Sequence, residues 1–218
     1  GMHDEQDMRN MGALRALMPI TAGTFIVGWL AIAGVPPFSG FWSKDEILLA
    51  AWEQDDIGPL LWAVGLVTAL LTAYYMSRQV FLVFFGEQRW DDDVQPHEST
   101  WTMTLPLVIL AVAAIAGGAL NLPVVGDWQV LEQFLEPSLA HVHHFSSSTG
   151  AKVALAIISV VAVGIGIAFA VMVWLKGRVR RSGLEPALLE NAMYVDAAYA
   201  KVVAGVGTTA FQFAADTD

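Results

Sequence analysis

The chain contains no cysteine, which excludes disulfides, thiolate metal sites and cysteine nucleophiles. Charge is also scarce: 15 % of the 218 residues are ionised side chains, against 56 % hydrophobic ones. Too little polar surface is available to cover a soluble domain, and the positive mean hydropathy of +0.54 fits a polytopic membrane protein. Basic residues are fewer still, 11 against 21 acidic, for a net charge of −10, which argues against nucleic-acid binding. The opening GMHDEQDMRNMGALR has no basic stretch leading into an apolar core, so it does not read as a signal peptide. It reads as the continuation of a longer chain.

Four apolar stretches can be read as spans. Residues 17–34 are about long enough to cross alone, but Gly34-Val35-Pro36-Pro37-Phe38-Ser39-Gly40 follows at once. Pro36 and Pro37 should end the helix begun near Ile20, since proline lacks the amide donor and clashes with the preceding turn. Gly34 and Gly40 would relieve the backbone. Ser43, followed three residues later by Glu46, has the spacing of a capping box, so a second helix is expected from Ser43 to about Trp52. Residues 17–53 are thus predicted as one broken transmembrane helix. Further spans are predicted at 58–86, 102–122 and 151–175. They are separated by an acidic loop at 87–101, with Asp91, Asp92 and Asp93, and by a long connection at 123–150. Residues 1–16 form a polar surface segment. After the basic cluster Lys176, Arg178, Arg180 and Arg181, the tail to residue 218 places Leu188, Leu189, Met193, Tyr194, Ala197 and Ala198 at helical spacing, the pattern of an amphipathic surface helix. The fold class is all-α: about four transmembrane helices, the first discontinuous, plus the start of a lateral amphipathic helix.

The distribution of positive charge favours a single crossing by 17–53. Arg9, Arg15, Arg89, Lys176, Arg178, Arg180, Arg181 and Lys201 then share one side, leaving only Lys152 opposite, and the positive-inside rule makes the crowded side cytoplasmic. Two crossings would separate Arg9 and Arg15 from the rest. A broken helix that carries charge at membrane depth is a recurring device of ion-translocating proteins. Here it places Lys44, Asp45 and Glu46 at the break, as candidate proton-path residues. Desolvation and the start of a helix oppose the charge on Lys44, whereas the two carboxylates favour it.

Other features have simpler readings. Arg78 fits an interfacial arginine whose stem is buried and whose head reaches water. His141, His143 and His144, with Glu132 and Glu136 upstream, match no standard zinc spacing, so no metal is expected. Gly117-Gly118 and Gly164-x-Gly166 read as close helix-packing points; no strand precedes them, as a phosphate loop would require.

The segments HDEQDMRNMGALR, IAGVPPFSGFWSKDEIL and TALLTAYYMSRQVFLVFFGE closely resemble the large antiporter-like subunits of bacterial respiratory complex I. The resemblance implies that Lys44 corresponds to that family's proton-channel lysine on a broken helix, with Asp45 beside it. It implies that Asn191 to Asp196 begin the long lateral helix that braces neighbouring subunits. It also implies a multi-pass protein of the bacterial inner membrane, partnered by other membrane-arm subunits, above all neighbouring antiporter-like ones, and by the lipid bilayer. The enzymatic activity would be that of NADH:quinone oxidoreductase as a whole, with no redox chemistry in this chain. NAD, FMN, the iron–sulfur clusters and quinone would be held by partner subunits. The family's earlier helices have no counterpart here, so the resemblance implies a piece of a larger subunit that alone would not conduct protons. Two alternatives come from other classes: a subunit of a multi-subunit cation/proton antiporter, and a structural piece in which Lys44 is inert.

Overall fold

A computed structural model describes residues 5–91, 94–120, 134–135, 137, 147–177 and 191–207. The chain divides after Lys176 into two units, and every regular element among the described residues is helical. In the first unit these are α1 (Pro19–Ala33), α2 (Ser39–Trp52), α3 (Gly58–Phe84), α4 (Trp101–Ala116) and α5 (Thr149–Ala170). A 3-10 turn, Gly117–Leu120, extends α4, and a π turn, Val171–Leu175, extends α5. Three stretches, Gly58–Phe84, Trp101–Ala119 and Thr149–Leu175, are long and apolar enough to cross a membrane, and α1 is a shorter apolar helix. Most of their apolar side chains point outward, for example Leu60, Val64 and Leu71 on α3 and Leu105, Ile109 and Val112 on α4. Water would oppose that arrangement, and lipid or neighbouring helices favour it.

The 27-residue α3 is the spine. Its C-terminal half carries α1: Phe25 stacks on Phe84 at 5.3 Å, Trp29 packs edge-on to Phe81 at 5.7 Å, and Trp29 Nε1 donates to Ser77 Oγ at 3.1 Å. Ala33 meets Ala69 and Ala73 together with Val163 of α5. The N-terminal half of α3 carries α2, with Leu48 against Gly65 and Trp52 on Trp62 at 5.5 Å. α1 and α2 therefore lie end to end along one continuous helix. α5 runs in the same direction as α3. Glu53, just before α3, accepts from Ser147 N at 2.8 Å, and further along Tyr74 meets Phe169 and its hydroxyl accepts from Trp174 Nε1 at 3.2 Å. A Cβ on Gly166 would stand 2.6 Å from the Leu70 carbonyl, so this glycine is the close-packing point read from the sequence; Gly164 has open space instead. Arg78 lays its guanidinium over the Trp174 ring, 4.7 Å from the centroid, which fits an interfacial arginine with a covered stem.

Residues leading into α1 fold against the far end of α3. Arg89 donates to the Arg9 carbonyl at 2.8 Å, Ala13 N donates to Phe85 O at 3.2 Å, Arg15 covers the Phe85 ring, and Leu14 is 1 % exposed.

The helix start at Ser43 is corrected. α2 begins at Ser39, with extended Phe38 as its N-cap, and Ser43 Oγ donates back to the Gly40 carbonyl inside the helix at 3.4 Å. The reason is tertiary: a Cβ on Gly40 would overlap the Ala31 carbonyl oxygen, so Gly40 must already be helical to fit closely under the end of α1. Lys44 consequently sits one turn into α2. The other spans differ from expectation by a residue or two, the usual latitude at helix ends. Asp92 and Asp93, the histidine-bearing loop with Glu132 and Glu136, residues 121–122, Arg178 to Arg181 and Leu188–Leu189 lie outside the described residues.

In the second unit, α6 is the eight-residue helix Val195–Val202, with Asp196 in its first turn and Lys201 in its last, each sign complementing the helix dipole. Met193 and Tyr194, expected on its apolar face, precede it in the left-handed region with φ of 53° and 57°. They terminate the preceding turn and do not extend the helix face.

Candidate functional site: the break between α1 and α2

An α-helix leaves its last four carbonyls without intrahelical partners. In α1 these belong to Leu30, Ala31, Ile32 and Ala33. Gly34, with φ of 81°, lets the chain turn back in the left-handed conformation that glycine adopts without strain. Its N–H donates to Ala31 O and that of Val35 to Leu30 O, each at 3.0 Å. Two carbonyls remain, and both accept from one side chain: Lys44 Nζ donates to Ile32 O and to Ala33 O, each at 3.1 Å. Gly34 also makes room for that side chain, since a Cβ there would stand 3.2 Å from Lys44 Cδ. The ammonium lies at the negative end of the α1 dipole and closes the account of α1's backbone.

Asp45 and Glu46 follow on the same turn, and both are half-buried. The two hydrogen bonds of Lys44 go to carbonyls, so the expected pairing of this ammonium with its neighbouring carboxylates is not what holds it. α4 closes the break from another side. A Cβ on Gly118 would lie 2.5 Å from Trp42 Cδ1 and 3.0 Å from the Pro37 carbonyl, and Trp42 Nε1 donates to that carbonyl at 3.3 Å. The Gly117-Gly118 pair thus serves as the close-packing point expected of it.

The opposite end of α1 is held by a residue that the sequence pattern does not single out. Met18 precedes α1 and offers no side-chain cap. Glu98 supplies one: Oε2 accepts from Ile20 N at 2.7 Å and Thr21 N at 3.3 Å, and Oε1 accepts from Thr21 Oγ1 at 2.5 Å. The one signal for it is a helix starting at Pro19 without Ser, Thr, Asp or Asn ahead of it, whose amides must find an acceptor elsewhere. Partial burial raises the Glu98 carboxyl, but the donors from Thr21, Ile20 and Ser99 outweigh it and hold the group below its ordinary range. A carboxylate so stabilised contributes above its unfolded value near 4.5, and the contribution is lost as pH falls through the lower folded value. Amide protection at Ile20 and Thr21, corrected for intrinsic exchange, should therefore collapse in acid below pH 4.5 while that of α3 persists. Equal loss in both helices would contradict this.

Among the described residues no group of three or more His, Asp or Glu side chains could hold a metal ion. The break offers an amine, a carboxylate pair and helix-end carbonyls, which is equipment for moving a proton.

Comparison with known proteins gives the same direction. Residues 1–72 match the family described as NADH:quinone oxidoreductase/Mrp antiporter, TM. Residues 72–185 match a second family, of NADH dehydrogenase, described as TMs, (complex I) C-terminus. NADH-quinone oxidoreductase subunit L of Mycobacterium tuberculosis is 44 % identical over 170 residues, covering 77 % of this chain and 26 % of that protein. NAD(P)H-quinone oxidoreductase chain 5 of Picosynechococcus is 49 % identical over 138 residues, 54 % of this chain and 20 % of that one. The chloroplastic subunit 5 of Mesostigma viride is 39 % identical over 165 residues, 70 % and 24 % respectively. The chain therefore spans about a quarter or less of the length of these relatives, each of them a component of an NAD(P)H-quinone oxidoreductase. With more than half of its residues, including α4 and α5, inside the complex I C-terminal family, this chain belongs to the antiporter-like membrane subunits of complex I.

Proposed function

We propose that this chain forms part of the proton-translocating membrane arm of NADH-quinone oxidoreductase, and that Lys44 carries the proton at the break. The carrying observation is the double hydrogen bond from Lys44 Nζ to the Ile32 and Ala33 carbonyls. An ammonium has three N–H donors. Two are engaged, and the third is left to pass its proton to a water or to a carboxylate such as Asp45 or Glu46. The amine that remains still has two N–H donors for the same two carbonyls, so the proton departs without uncapping α1. The nitrogen lone pair then accepts the next proton. Lysine suits this task because its charge yields to its surroundings.

End-to-end placement of α1 and α2 along α3 supports a single crossing by residues 17–53, since one 27-residue helix, about 40 Å long, exceeds the hydrocarbon thickness of about 30 Å. That crossing puts the residue 1–16 segment, the 87–101 loop and the tail on the cytoplasmic side of a bacterial inner membrane. Partner subunits of the membrane arm flank the outward apolar faces. NAD, FMN, iron–sulfur clusters and quinone belong to other subunits of the complex.

The test uses Lys44→Arg in the full-length subunit within its complex. Arginine keeps the donors but does not release its proton. The complex should assemble in normal amount, and protons pumped per NADH oxidised should fall several-fold. An unchanged ratio would remove Lys44 from the proton route. The joint family description over residues 1–72 keeps a second reading, a subunit of a cation/proton antiporter, which sodium-dependent exchange without any response to NADH would favour.

A further inference from the structure

α1 is bonded at both ends by ionisable side chains from other elements, Lys44 at its carbonyl end and Glu98 at its amide end. The two flanks of the helix differ. Towards α3 it is anchored by Trp29 and Phe25. Towards α4 it faces a groove of 380 Å³ whose lining includes Gly28, Ala31, Ala111 and Ala114, small residues that give little resistance to sliding. On that flank the register of α1 is set at the ends. Glu98 leads into α4, whose N-cap is Thr100, and at the other end of α4 Gly118 abuts Trp42 and the Pro37 carbonyl. α4 therefore acts as a ruler of fixed length between the amide end of α1 and the break.

We infer that Glu98 is a positioning residue for the proton step: it fixes where α1 stands along its axis, and so where the Ile32 and Ala33 carbonyls meet Lys44. α1 is a 15-residue helix, about 22 Å long, with its internal hydrogen bonds intact, so displacement at one end is transmitted to the other as a rigid shift. The inference rests on the Lys44 reading for its functional meaning, whereas the mechanical part stands on its own.

Both parts are tested in the assembled complex with Glu98→Gln, which loses the charge and one of the two acceptor oxygens. Hydrogen–deuterium exchange across residues 19–35 should accelerate several-fold at both ends of α1, including residues 30–35, and protons per NADH should fall. In a Lys44→Arg background Glu98→Gln should lower pumping no further, since both act on one contact. Faster exchange confined to residues 19–22 would overturn the inference, as would independent, multiplying effects on pumping. Faster exchange at both ends with normal pumping would uphold the positioning by Glu98 and sink the proton role of Lys44. A loss of assembled complex with an unchanged ratio of protons to NADH and slow exchange at 30–35 would mark Glu98 as merely structural. Should Glu98→Gln fail to assemble, Thr21→Val, which removes only the hydroxyl donor to Oε1, carries the same readouts.

Discussion

Gly40→Ala should eliminate most of the assembled complex, an effect larger than any other single methyl group in this chain would produce. The added Cβ would fall on the Ala31 carbonyl oxygen, and that oxygen cannot retreat cheaply because it accepts from Gly34 N. The obstacle is backbone, so α1 and α2 must separate. Forced overpacking costs about 1–3 kcal/mol when flexible side chains can give way, and more when they cannot. Separation also pulls Lys44 from its two carbonyls. Gly23→Ala is the control: nothing lies within 4 Å of a Cβ there, and alanine favours a helix interior. Native-gel quantitation of the complex should separate the two variants clearly. If both assemble alike, the close approach at Gly40 is not what fixes the break.

Lys44→Met should be the second severe change, and it should differ in kind from Lys44→Arg. Methionine fills similar space but donates nothing. The Ile32 and Ala33 carbonyls lose their partners, and each buried acceptor left unsatisfied costs about 1–3 kcal/mol. The sum, about 2–6 kcal/mol, is comparable with the whole stability of many domains. Lowered thermal resistance of the complex should therefore accompany the loss of pumping, whereas Lys44→Arg should lose pumping alone. Equal thermal resistance in all three forms would mean that the lysine is not the cap of α1.

The two predictions rest on features with different visibility in the sequence. The break is legible because Gly34, Pro36 and Pro37 act locally: proline and glycine impose their backbone preferences wherever they stand. Gly118 and Gly166 are legible as packing points for a related reason, small residues in an apolar helix having few other uses. The start of α2 is not, because Ser43 and Glu46 carry a local capping signal that the contact between Gly40 and Ala31 overrides. Lys44 stands out by its cost in an apolar stretch, yet its sequence neighbours suggest carboxylate partners. The actual partners are backbone atoms of the preceding helix, and no side-chain pattern encodes those. Glu98 is invisible for a stronger reason. It bonds residues 77 and 78 positions away, and only the missing N-cap before Pro19 hints that some acceptor is needed.

The break also has an electrical consequence. With residues 17–53 crossing once, as proposed, helices of 15 and 14 residues stand on either side of it, so Lys44 sits near the midpoint of the membrane voltage. Moving one charge through the full potential requires about 2.3 kcal/mol per 100 mV. A relay stationed halfway divides that work into two steps of about 1.2 kcal/mol each. Neither step alone opposes the whole field, so a rising membrane potential slows uptake and release by comparable factors and does not stall the proton at one of them.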